Sequence, residues 1–127
     1  MSIAINHRRG LIIIRAELFG PSGSIVLQLA LDTGATATMV NVGPLATVGY
    51  DPSLVVGRVQ VTTGSGVEYV PRIEVTRIKA LGQERVGLPV LSHTLPSSAG
   101  IDGLLGLDFL RGQRLTIDFV RGRLSLS

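Results

Sequence analysis

The chain has 127 residues, 45% of them hydrophobic and 17% charged, with no cysteine. That length holds one domain rather than two full-sized cores, and the composition excludes a disordered chain, a disulfide scaffold and a thiol nucleophile. The formal charge of +3 comes from scattered arginines, and aromatics are only 4%, so little is available to track a phosphate backbone or stack on bases.

No nucleic-acid partner is therefore expected. Residues 1–10 read as an N-terminal extension and 11–127 as the domain. The apolar run from Leu11 to Ile14 follows Arg8 and Arg9, but Arg15 and Glu17 interrupt it before a signal-peptide core is reached. Nowhere does the chain approach the roughly eighteen apolar residues of a membrane span, so a soluble, cytoplasmic protein is expected. Sixteen glycines and six prolines, spread along the chain, predict many short elements joined by turns and a mostly β domain.

Residues 11–19 (LIIIRAELF) are rich in β-branched side chains and end at the turn Gly20-Pro21-Ser22-Gly23. Residues 24–31 resume as a strand, with Ile25, Leu27, Leu29 and Leu31 on one face by period-two counting. The two predict an antiparallel hairpin that delivers its end at Asp32. After a short extended piece, Asn41 is placed to cap a brief helix through Val48, with Pro44 in its first turn.

Residues 58–62 and 67–75 predict a projecting hairpin, with Gly64-Ser65-Gly66 in its tip and Pro71 marking an edge or bulge. Residues 76–81 and 84–91 form a further expected pair around Gly82-Gln83. The segment 103–112 carries apolar residues at 104, 105, 107, 109 and 110, which predicts a short helix stopping at Gly112. Residues 115–119 and 123–126 make a final hairpin.

The stretch with chemical content is Leu31-Asp32-Thr33-Gly34-Ala35. An apolar strand would hold the Asp32 carboxylate in a fixed, partly buried place. Gly34 lets its backbone N–H approach that carboxylate, and the Thr33 hydroxyl can lock the turn. Taken alone, the tripeptide reads equally well as a turn that ends a strand. Three ordered features accompany it: Leu104-Leu105-Gly106 downstream, a glycine-rich hairpin tip between the two, and an alternating strand at the end.

With these residues in order, LDTGAT at 31–36, the hairpin at 58–75 and GIDGLLGLDFL at 100–110, the sequence resembles the retropepsin-like aspartic proteases, in particular their bacterial single-domain relatives. The resemblance runs from about Leu11 to Leu126. It implies a closed, barrel-like acid-protease domain, one lobe per chain, with a flap at 58–75 and one or two short helices. It implies that Asp32 is the catalytic aspartate, that Thr33 bonds across a two-fold axis, and that Gly34 supports the carboxylate. Ala35, Thr36, Leu104 and Leu105 would meet the substrate or pack beside the catalytic loop, while Gly64, Ser65 and Gly66 would close over a bound peptide. Retroviral members carry an acidic residue and an arginine where this chain has Thr36 and Leu107, so that ion pair is missing and specificity is expected to differ.

Aspartic protease chemistry needs two carboxyls close together sharing one proton, because like charges at that separation cannot both ionise. This chain has one Asp-Thr-Gly motif. Asp102-Gly103 lacks the hydroxyl residue and reads as a turn, Asp108 as a structural hydrogen-bonder and Asp118 as a strand surface residue. The second carboxyl is therefore expected from Asp32 of another copy, in a C2 homodimer acting on a peptide. Leu115, Ile117, Phe119, Leu124 and Leu126 alternate as half-buried strands suited to core packing, to an interchain sheet, or to both.

His7 and His93 lack companions at metal-ligand spacing, so neither a metal nor any other cofactor is expected. Two alternatives stand beside the protease: a non-proteolytic module that keeps the fold for dimerisation or peptide binding, and a dormant protease that works only once it dimerises.

Overall fold

A computed structural model of the chain describes residues 2–6, 8–55, 57–63 and 66–127, with the backbone alone at Thr63. In chain order, Ser2–Ala4 form β1, Ile13–Gly20 β2, Gly23–Leu31 β3 and Met39–Val40 β4, followed by the helix α1 at Val42–Thr47. Arg58–Thr63 (β5) and Gly66–Glu74 (β6) come next, then Arg77–Ala80 (β7), Gln83–Val86 (β8) and Pro89–Ser92 (β9). The last elements are Gly103–Leu105 (β10), a four-residue helix α2 at Leu107–Leu110, Leu115–Asp118 (β11) and Arg123–Leu126 (β12). Among the described residues, no helix is long and apolar enough to cross a membrane.

Nine strands form one curled sheet in the order β5-β6-β9-β4-β10-β3-β2-β7-β8, and three form a second in the order β1-β12-β11. The hairpin β2–β3 starts the first sheet, with Ile13 opposite Ala30 and Gly20 opposite Gly23. Period-two alternation turns Ile14, Ala16, Leu18, Leu27 and Leu29 inward, where each is at most 2% exposed. Val40, Ile78, Val90 and Leu105 from other strands join them, with Phe109 from α2 and Leu124 and Leu126 from the second sheet. Burying a Leu, Ile or Phe side chain stabilises by about 1.5–3 kcal/mol, so this core holds both sheets together.

Four expectations need correction or extension. Residues 84–91 are not one strand. After Val86, Gly87 takes φ +68 and turns the chain. Only β8 pairs with β7, and β9 instead runs antiparallel to β6 and parallel to β4.

Residues 103–105 are not helical either. They form β10, parallel to β3 with Leu105 opposite Leu31 and antiparallel to β4. The apolar spacing is helical, but the ladder space between β3 and β4 captures these residues, and the helix begins only at Leu107.

Asn41 sits at the N-cap of α1 without a side-chain capping bond. Its Oδ1 accepts from the Leu95 N–H and its Nδ2 donates to the Ile101 carbonyl, so it ties two distant loops instead. The first ten residues contain β1, which pairs with β12.

Candidate active site

Asp32 follows the last residue of β3, and its position is fixed from three sides. Its backbone N–H donates to the Leu105 carbonyl at 3.0 Å, extending the β3–β10 ladder by one rung. The chain then turns, and the Ala35 N–H donates back to the Asp32 carbonyl at 3.2 Å. Within that turn the Gly34 N–H donates to Asp32 Oδ1 at 2.9 Å. A hydrogen bond of this kind, charge-assisted when the carboxylate is ionised, sets which way the half-buried carboxyl points.

Two glycines of β10 and its flank let this loop pack tightly. A Cβ on Gly106 would stand 2.7 Å from the Ala37 backbone and 2.9 Å from the Ala35 carbonyl oxygen. A Cβ on Gly103 would overlap the Met39 carbonyl. Beside them the Leu107 N–H donates to the Ala35 carbonyl at 2.8 Å, closing the loop on the start of α2.

The remaining carboxylates nearby are engaged elsewhere. Asp108 accepts from the Thr38 N–H and hydroxyl and from the Phe109 N–H. Asp102 lies far down β3, its Oδ2 accepting from the Gln28 N–H at 2.8 Å while its own N–H donates to the Gln28 carbonyl. It is an anchor for β3. Asp118 closes the β11–β12 turn by accepting from the Val120 and Arg121 N–H groups.

A cleft of about 370 Å³ opens in front of Asp32. The loop supplies Gly34, Ala35, Thr36 and Ala37 on one side, and Val59 to Thr62 of β5 form the other. Met39 and Leu91 make an apolar floor. Among the described residues, Asp32 is the one ionisable side chain in that lining. A larger groove of about 570 Å³ lies over the outer face of β2 and β7, lined by Arg15, Glu17, Lys79 and Glu84. Its mixed charges are those of a solvated sheet face, and it holds no part of the Asp32 loop.

The structure therefore brings Asp32, Gly34, Ala35 and Thr36 to one cleft. Thr33 faces another way, into a separate hollow of about 330 Å³ with Leu107, Leu110 and Leu115. Its hydroxyl makes no hydrogen bond among the described residues. Leu104 packs with Met39, Val70 and Leu91 beneath the cleft. Leu105, expected beside the substrate, is 0% exposed, so it serves Asp32 through its carbonyl while its side chain fills the core.

Gly66 opens β6 opposite Thr63 with φ +129. Gly64, Ser65 and His7 lie outside the described residues. His93 stands 3.7 Å from Glu68, on the surface.

Sequence reasoning missed Met39, Val59, Val61 and Leu91 as cleft residues. The alternation of residues 58–62 was a usable signal for Val59 and Val61, which share one face of β5. Leu91 gave none, because its strand was assigned to the wrong neighbour.

Residues 23–112 match the family described as "gag-polyprotein putative aspartyl protease". The fold is similar to that in a crystal structure of a retropepsin-like aspartic protease from Rickettsia conorii, with a TM-score of 0.73 and 22% identity. That match covers 99% of this chain and 88% of the other. No curated protein matches the chain.

Proposed function

The chain belongs to the gag-polyprotein aspartyl protease family, with a retropepsin-like fold, and from that premise we propose that it is an endopeptidase whose active site is completed by a second copy of itself. The carrying observation is the state of Asp32. Its carboxyl is oriented by Gly34, it faces the cleft of about 370 Å³, and no other acid lines that cleft among the described residues.

Two Asp32 carboxyls meeting at a two-fold axis share one proton. The ionised one takes a proton from water, the protonated one donates to the scissile carbonyl oxygen, and the water oxygen adds to the carbonyl carbon. The resulting diol collapses as the amide nitrogen is protonated and leaves. No covalent enzyme intermediate forms. The β5–β6 hairpin acts as the flap, pressing Val59 and Val61 towards an extended peptide.

The second sheet supports dimerisation. Its edge strand β11 has one unpaired side, and Leu115 at its start lines the hollow beside Thr33. Antiparallel pairing of β11 with its copy, centred on Ile117, sets Phe119 of one subunit opposite Leu115 of the other. Phe119 is 57% exposed and Val120 91% exposed in the single chain, apolar surface that such pairing covers.

The test is hydrolysis of a mixed peptide pool at acidic and neutral pH by the wild type and by Asp32→Asn. Cleavage lost by about a thousandfold or more in the variant supports the reading, since removing a general acid–base group costs about 10² to 10⁴ in rate. Equal cleavage by both proteins refutes it, and a folded, dimeric wild type that cleaves nothing favours the binding module.

A further inference from the structure

Beneath the Asp32 loop lies a polar pair, Thr38 and Asp108, far apart along the chain. Thr38 is 0% exposed. Its hydroxyl donates to Asp108 Oδ1 at 2.7 Å and accepts from the Gly106 N–H at 3.1 Å. Its N–H donates to both Asp108 oxygens at 2.9 Å, and its carbonyl accepts from the Leu91 N–H at 2.9 Å. The Asp108 carboxylate accepts in addition from the Phe109 N–H at 2.8 Å. Every polar atom of Thr38 is thus in use, and the hydroxyl is used in both directions, so no apolar side chain of the same shape can replace it.

The position of this pair matters more than its strength. Gly106 stands between two contacts with the catalytic loop: the Leu105 carbonyl that receives the Asp32 N–H, and the Leu107 N–H that reaches the Ala35 carbonyl. The same threonine, through its carbonyl, fixes Leu91 in the cleft floor. Thr36 and Leu107, which flank these contacts, contribute no side-chain hydrogen bond or ion pair among the described residues. We infer that Thr38 and Asp108 are positioning residues, a buried hydroxyl–carboxylate clamp that locks the Gly106 turn against the Asp32 loop and so sets where the catalytic carboxyl stands.

The inference rests on the aspartic endopeptidase reading. Neither residue touches substrate, because Thr38 is buried and Asp108 is spent on backbone and hydroxyl donors. Loss of the clamp should therefore lower the chemical step and leave substrate binding alone. A carboxyl displaced by about 1 Å can cost about a hundredfold in rate.

The experiment measures kcat and KM per folded dimer for wild type, Asp32→Asn, Thr38→Val and Thr38→Ser, with dimer content from sedimentation. The expected result is a kcat about a hundredfold lower for Thr38→Val, KM within about twofold, and recovery of most of the lost rate in Thr38→Ser, which restores the hydroxyl. A merely structural role would lower the melting temperature of Thr38→Val and leave kcat per folded dimer unchanged, which overturns the inference. Should Thr38→Val fail to fold, Asp108→Ala gives the same reading, since it removes both acceptor oxygens that hold Thr38. Unchanged kcat in a folded Asp108→Ala dimer then counts against the clamp. A wild type as inactive as Asp32→Asn overturns the protease reading and the clamp with it, whereas an active wild type beside an equally active Thr38→Val overturns the clamp alone.

Discussion

The backbone N–H of Asp32 donates to the carbonyl of Leu105, 3.0 Å away. Through that bond, the end of an early strand is fixed by a strand formed near the other end of the chain. β10 lies between β3 and β4, so it supports the Asp32 loop on one side and the cleft floor on the other. The fold is thereby a condition of the site, because the carboxyl cannot be placed until β10 has docked.

Gly106→Ala tests how tightly that docking is packed. The new methyl would stand 2.7 Å from the Ala37 backbone, closer than a carbon can approach without a shift. Overpacking of this kind costs about 1–3 kcal/mol, and the loop that must move is the one carrying Asp32. Urea unfolding should show the lower midpoint with an unchanged slope, and peptide cleavage should fall further than stability alone explains. An unfolding midpoint equal to the wild type would contradict the packing described for this turn.

Phe119→Asp probes the proposed subunit contact. The ring is more than half exposed in the single chain, so the substitution should leave the fold intact. Between subunits it would set a charge against apolar Leu115, where burial of an unpaired carboxylate is costly. Sedimentation should show monomers at concentrations where the wild type is dimeric, and activity should recover only as concentration rises. A variant that stays dimeric and fully active would remove β11 from the interface.

The cleft lining bears on substrate choice. Ala35, Met39, Val59, Val61 and Leu91 are its apolar lining, beside the uncharged Thr36, Gln60 and Thr62, and among the described residues Asp32 is its one charged group. A peptide library should therefore show hydrophobic side chains beside the scissile bond. Charged residues at those positions in the profile would count against this assignment of the cleft.

Much of the fold was legible in the residues alone. The alternation of residues 24–31 put Leu27 and Leu29 in the core and Asp32 at a strand end, because period-two burial is a local property that needs no knowledge of the rest of the chain. The motif beside it marked the turn at Asp32 from adjacent residues alone. What failed was non-local. Gly103–Leu105 carry helical spacing, and only the gap between β3 and β4 makes them a strand. Pro89–Ser92 look like a continuation of β8, and only the Gly87 turn separates them. Thr38 sits in a run of small residues with no feature to single it out, since its partner Asp108 is brought near by the fold alone. Asn41 has the composition of a cap, yet its amide is claimed by Leu95 and Ile101.

The most direct test of the central claim mixes subunits. Wild type at fixed amount is allowed to exchange with an equal amount of Asp32→Asn, and peptide hydrolysis is measured before and after. If each site needs one Asp32 from each subunit, random re-pairing leaves only wild-type homodimers active, and the rate should fall to about half. A rate that stays unchanged or rises after exchange, with mixed dimers verified by mass, would mean that one copy of the aspartate suffices and would contradict the two-carboxyl site.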